Sequence, residues 1–295
     1  MAVYEHAYKP YAGPLTPEWS RFLIIPRHAY RDVFRSKLFT GFFALCFVCP
    51  LVMAILIYLH HNLSALGFFN INPLDLRKAL PINGPFFQTF VSVQTSLAFL
   101  LTVLIGPPLI SRDLANNGLP LYLCRPFSRA EYVIGKMSVL VILISAITWI
   151  PGELLFLFQS YLEGAGWFAS NLWIAGAIFI GSWTWILLLA LLSVAISAWV
   201  KWRLAASAAL FGLFIISSAI GFMVNGVLQT RWGSLFNLNM IMRTIEDSLF
   251  RDPNSMGLPH WMVLPSPAAW IMLCLFLVMC LFLLTRRVRA YEVVR

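Results

Sequence analysis

Six stretches of 21 to 29 residues run through this chain almost without Asp, Glu, Lys or Arg, and they leave it few ways to fold. A hydrocarbon layer about 30 Å thick takes roughly 20 apolar residues per crossing helix. The stretches are Phe39 to Leu59, Phe86 to Ile110, Met137 to Phe158, Leu172 to Val200, Leu204 to Leu228 and Trp261 to Leu284, and only Glu153 interrupts one of them. With 60% hydrophobic residues, 11% charged residues and a mean hydropathy of +0.80, the chain reads as an all-α integral membrane protein of six transmembrane helices.

The basic residues orient it. Of the 21 Lys and Arg, sixteen fall in the N-terminal arm, the second and fourth connections and the C-terminal tail, against five in the other connections. Lys and Arg accumulate on the cytoplasmic side, so both termini are expected in the cytoplasm of a plasma or bacterial inner membrane. The net charge of +9 sits beside membrane-facing segments, where anionic lipid headgroups are the nearer partner than nucleic acid. Cys46, Cys49, Cys274 and Cys280 lie inside spans and Cys124 on the cytoplasmic side, so no disulfide framework is implied. The CxxC spacing of Cys46 and Cys49 reads as packing, and no metal site is expected.

The chain divides into a cytoplasmic arm and interfacial helix (1–38), a six-span membrane domain (39–285) and a basic cytoplasmic tail (286–295). From Glu18 to Leu38, apolar Phe22, Ile25, Tyr30, Val33 and Phe34 oppose Arg21, Arg27, Arg31 and Arg35, an interfacial amphipathic pattern that Pro26 interrupts. The third connection, Gln159 to Asn171, reads as a loop, and Lys201-Trp202-Arg203 as a tight link between antiparallel helices. Within the fifth connection, Leu238, Ile241, Met242, Ile245 and Leu249 recur at helical spacing opposite Arg243, Glu246 and Asp247, which predicts an amphipathic helix on the outer surface before the last span. No internal repeat relates the two halves of the chain.

Charge returns between the second and third spans, in "ISRDLANNGLPLYLCRPFSRAEYVIGK" from Ile110 to Lys136. Ser128-Arg129-Ala130-Glu131 fits a capping box, which starts the third span there. Upstream, Leu114, Gly118, Leu121 and Tyr122 give a short helix one apolar edge, while Arg112, Asp113, Asn116 and Asn117 stay polar. Pro120 leaves one kinked helix and two short ones both open. Such an edge docks on a soluble partner; the plainer reading is a solvated loop joining two spans, with Lys136 snorkelling to the headgroups.

This run resembles the ABC-2 type permeases, the membrane subunits of ABC exporters, in which the second span leads into an acidic residue, a glycine, a proline, Ser-Arg and Gly-Lys. Asp113, Gly118, Pro126, Ser128, Arg129, Gly135 and Lys136 match in order. Pro120, and Asp in place of the commoner Glu, depart from the pattern. The resemblance implies that residues 111–131 form a coupling region seated in a cleft of a separate ATPase. Arg112, Asp113, Asn117 and Arg125 would then make polar contacts and Leu114, Leu121 and Tyr122 apolar ones. It also implies two ATPase copies, which hold ATP and magnesium, and a second membrane subunit, either an identical copy or a paralogue.

The chain itself offers no engine. A P-loop needs GxxxxGK followed by Ser or Thr, whereas Gly135-Lys136 is followed by Met137 and has Ala130 at the upstream glycine position. No cofactor and no enzymatic activity are expected in this chain. Two intramembrane residues are candidates for the transport pathway. Glu153 is an ionisable group inside a span, for which snorkelling at the outer headgroups is the rival reading, and Gln94 is equally suited to linking helices. A motor-independent channel or scaffold is the alternative. An intramembrane hydrolase is disfavoured because no span contains His or Asp, and a haem or quinone protein because no paired His lie within helices.

Overall fold

The structure, a computed structural model, describes residues 24–62, 81–115, 129–252, 255, 257, 259 and 263–287. These are 88% helical and contain no strand. The helices are α1 (Ile24–Phe34), α2 (Lys37–Leu45), α3 (Val48–His61), α4 (Gly84–Ala115), α5 (Arg129–Ile147), α6 (Trp149–Glu163), α7 (Ala165–Trp199), α8 (Arg203–Leu228), α9 (Leu238–Leu249) and α10 (Ser266–Arg287). A 3-10 helix, Trp232–Phe236, precedes α9. Six segments are long and apolar enough to cross a membrane: α2 with α3, most of α4, α5 with α6, α7, α8 and α10. The chain is therefore a multi-pass helical protein of membrane type.

α7 is the central rod. Its most apolar window is 78% buried, against 17% for those of the first and fifth spans, and it packs on α4, α5, α6 and α10. The outer helices instead expose apolar side chains such as Leu51 and Ile55 on α3, Ile216 and Met223 on α8 and Ile271 and Val278 on α10. A polypeptide in water would bury them; in hydrocarbon they face a like medium. α1 lies against α5, where the Tyr30 hydroxyl donates to the carbonyls of Ser138 and Val139 at 3.5 Å. Pro26 falls in the first turn of α1, where its missing N–H costs nothing. Ser36 then caps α2, its Oγ accepting from the Phe39 amide at 3.4 Å.

Two prolines inside spans release carbonyls that other helices satisfy. Pro50 cannot donate to the carbonyl of Cys46, the first span breaks between α2 and α3, and Gln94 Nε2 of α4 donates to that oxygen at 3.0 Å. Pro107 cannot donate to the carbonyl of Val103, and Ser207 Oγ of α8 takes its place at 2.9 Å. Both bonds replace a lost intrahelical one with an interhelical one, as an apolar surrounding demands. Pro151 likewise cannot donate to the carbonyl of Ile147, and the third span breaks at Thr148.

Three boundaries differ from the sequence reading. The stretch Gln159 to Asn171 is helical except for Gly164, whose φ of +104° makes the turn between α6 and α7. Gln159 is buried, and Glu163 meets His61 Nε2 of α3 at 2.7 Å. Near the chain's end, α10 starts at Ser266 rather than Trp261, with Pro267 in its first turn.

The third difference concerns α9, a helix as read, whose polar face is packed against other side chains. After α8 ends, the chain turns back along it: Gly221 and Gly233 come so close that a Cβ on Gly221 would stand 2.7 Å from Asn237 Cβ and 3.0 Å from the Gly233 carbonyl. Asn237 caps α9, accepting from the Met240 amide at 3.2 Å and from Ser218 Oγ at 3.0 Å. Ser218 is fifteen residues into α8, about 22 Å along it. From there α9 runs back towards the start of α4, where the Phe250 carbonyl meets Gly84. The segment thus folds back as a hairpin packed on α8.

Candidate functional site

The polar face of α9 is turned towards α4 and α7. Glu246 is 2% exposed, with Oε1 accepting from Trp185 Nε1 at 2.7 Å and Oε2 from Ser92 Oγ at 3.1 Å. Arg243 stands one turn back, its Nη1 3.6 Å from Glu246 Oε2 and its Nε 3.6 Å from Asp247 Oδ1. Its guanidinium also donates to Ser92 Oγ, and to Ser255 Oγ at 2.9 Å. Asp247 accepts from Gln88 Nε2 and Ser255 Oγ, both at 2.6 Å. One guanidinium thus serves two carboxylates, and neutral donors from α4 and α7 complete their shells. Burial pushes the Glu246 carboxyl up to about 7, against the pull of Trp185, Arg243 and Ser92, and burial likewise raises Asp247.

Beside this cluster a cavity of about 680 Å³ separates α4, α7, α8 and α9. Phe99, Trp185, Phe214 and Met240 form its apolar wall; Ser92, Thr95, Ser218, Asn239, Arg243 and Glu246 supply donors and acceptors. Leu100, Ile215 and Phe222 on its rim are exposed, so it opens on the outside of the bundle between α4 and α8. A concave apolar site with a few convergent polar groups is the usual form of a small-molecule site. Glu153 and Gln94 do not line it. Gln94 is fully buried and engaged with Cys46, and Glu153 lies half-buried on α6.

The sequence reading missed this cluster because the face of α9 with Arg243, Glu246 and Asp247 looks solvated when α9 is considered alone. The available signal was elsewhere: Gln88 and Ser92 one turn apart on α4, and Ser218, Gly221 and Asn225 at helical spacing on α8. Small and polar residues in such rows mark a close neighbour.

At the opposite end of the bundle, α4 continues past its apolar stretch to Ala115 and α5 begins at Arg129. Asp113 joins the two. Its Oδ2 lies 2.8 Å from Lys136 Nζ and accepts from the Tyr132 hydroxyl at 2.7 Å, and Lys136 sits over the Tyr132 ring at 5.7 Å. Tyr132 is fully buried and Lys136 nearly so, so Lys136 is paired within the bundle rather than extended to headgroups. Glu131 and Gly135 lie on the same stretch of α5. Asn117, Gly118, Leu121, Tyr122, Arg125, Pro126 and Ser128 fall outside the described residues, as do the side chains of Arg112, Leu114 and Arg129. No protein-family model matches the chain, and no curated protein matches it significantly.

Proposed function

We propose that this chain is the membrane-spanning permease subunit of an ATP-driven exporter of the ABC-2 type. It would work with two copies of a separate ATPase that carries ATP and magnesium, and with a second membrane subunit, identical or paralogous. The run Asp113, Gly118, Pro126, Ser128, Arg129, Gly135 and Lys136 carries the reading. The contact between its first and last members, Asp113 and Lys136 at 2.8 Å, supports it. A segment that springs from two helices clamped together at its base delivers a push to both at once.

In this reading the ATPase closes on ATP and pushes residues 111–131. α4 and α5 tilt as a pair, and α4 carries Ser92, Thr95 and Phe99 of the cavity wall with it. The cavity then changes shape between α4 and α8, with the α9 hairpin as its cap, and the cargo moves to the far side of the membrane.

Interfaces concentrate their energy in aromatic and Arg anchors. Replacing Tyr122 and Arg125 by Ala is therefore expected to abolish co-purification of the ATPase from the native membrane while leaving expression unchanged. Undiminished co-purification would remove this segment from the coupling role.

A further inference from the structure

Between α1, the start of α2 and the adjoining ends of α4, α5 and α8 lies a second cavity, of about 430 Å³. Its lining combines charged and apolar side chains. Asp32 and His28 from α1, Arg203 from α8 and the Asp113–Lys136 pair supply its charges; Leu38, Leu104 and Leu109 are among its apolar side chains. The Asp113 and Lys136 charges neutralise each other. Asp32, His28 and Arg203 are exposed and are engaged in no hydrogen bond or ion pair with the described residues. Among the described residues, the cavity thus brings the Arg203 cation and the Asp32 anion into a single recess without pairing either.

The apolar part is no sealed core. Leu38 is 69% and Leu104 44% exposed, and Leu204 next to Arg203 is 79% exposed. These side chains belong to the first, second and fifth spans, so the recess continues into the apolar surface that the bundle turns to hydrocarbon. A ligand that fits has a headgroup with both a negative and a positive charge, and chains leading away along Leu38 and Leu104. Free phosphate or a soluble zwitterion would leave the apolar part unused. A purely anionic lipid would set its charge against Asp32.

We infer that this recess binds a phospholipid whose headgroup carries a phosphate and a primary ammonium, of the phosphatidylethanolamine type. The phosphate is held by Arg203 and His28 and the ammonium donates to Asp32. A charge-assisted hydrogen bond to Asp32 needs N–H donors, which a trimethylated choline headgroup lacks. The site depends on α1 and the spans and not on the coupling reading, so either holds if the other fails.

The test is native mass spectrometry of the full chain, taken from nanodiscs containing phosphatidylethanolamine, phosphatidylcholine and phosphatidylglycerol in equal parts with matched acyl chains. The expected result is retention of phosphatidylethanolamine over each of the others by about tenfold, the worth of one charge-assisted bond. Arg203→Gln should lose that retention by a similar factor, and Asp32→Asn should retain the ethanolamine and choline lipids alike. Arg35→Gln, an exposed change on the arm outside the recess, should keep the wild-type preference. Equal retention of the three lipids by the native chain would overturn the proposal. So would an unchanged preference in Asp32→Asn and Arg203→Gln, or an effect of Arg35→Gln equal to that of Arg203→Gln, which would reduce the binding to general surface charge.

Discussion

Lys136 Nζ lies 2.8 Å from Asp113 Oδ2, and that contact closes residues 116–128 at their base. It joins the end of α4 to the second turn of α5 where the chain leaves its apolar spans. Tyr132, donating to the same carboxylate oxygen at 2.7 Å, holds the acceptor in place.

Removing one member of a largely buried ion pair costs about 3 kcal/mol. Asp113→Ala and Lys136→Ala are each expected to lower the thermal unfolding temperature in detergent and to speed proteolysis within residues 116–128. Combined in one chain, they should cost clearly less than the sum of the single losses. Additive losses would mean that the two residues act independently.

Ser207 and Pro107 give a sharper test of how the spans are stitched. Ser207→Ala should cost about 0.6 to 1.7 kcal/mol, the range for interhelical bonds in apolar surroundings, because the Val103 carbonyl loses its donor. In a Pro107→Ala background the new backbone N–H takes that carbonyl, so the same change should cost almost nothing. Equal costs in both backgrounds would contradict the account.

The spans were legible because absence of charge over 20 residues is a direct physical requirement of hydrocarbon. The Gln159 to Asn171 stretch was misread as a loop because Gln159, Ser160 and Asn171 are polar, although the first two are buried. For α9 the helix itself could be read from Leu238, Ile241, Ile245 and Leu249. Its burial could not, since the partners of Arg243, Glu246 and Asp247 are Ser92, Gln88 and Trp185, between 61 and 159 positions away. An amphipathic pattern does not say whether its polar face meets water or other side chains. In the run from Asp113 to Lys136 the residue types could be read in order, but the pairing of Asp113 with Lys136 could not.

Glu246 should make stability depend on pH. Its carboxyl is pushed up to about 7 in the folded chain from an ordinary value of about 4.3, so the protonated form is favoured by folding. That contribution is complete below the ordinary value and is lost as pH rises through about 7. The unfolding temperature of the wild type is expected to fall between about pH 5 and pH 8, and Glu246→Gln should flatten that slope. An identical slope in the variant would assign the dependence to other groups.

Gly221 tests the hairpin. Gly221→Ala places a Cβ against Asn237 and the Gly233 carbonyl, and overpacking of this kind costs about 1 to 3 kcal/mol. Because the strain falls where the 3-10 helix meets α8, hydrogen exchange should rise first in α9. A rise confined to α8 would argue against a hairpin packed as described.

The coupling claim is met most directly by a photo-crosslinking amino acid at position 122, activated in native membranes, with the captured protein identified by mass spectrometry. The account predicts capture of an ATPase bearing a P-loop at position 122 and none from the same probe at Trp202, which lies at the same end of the bundle on the link between α7 and α8. Capture of no ATPase at position 122, or equal capture at both positions, would contradict it.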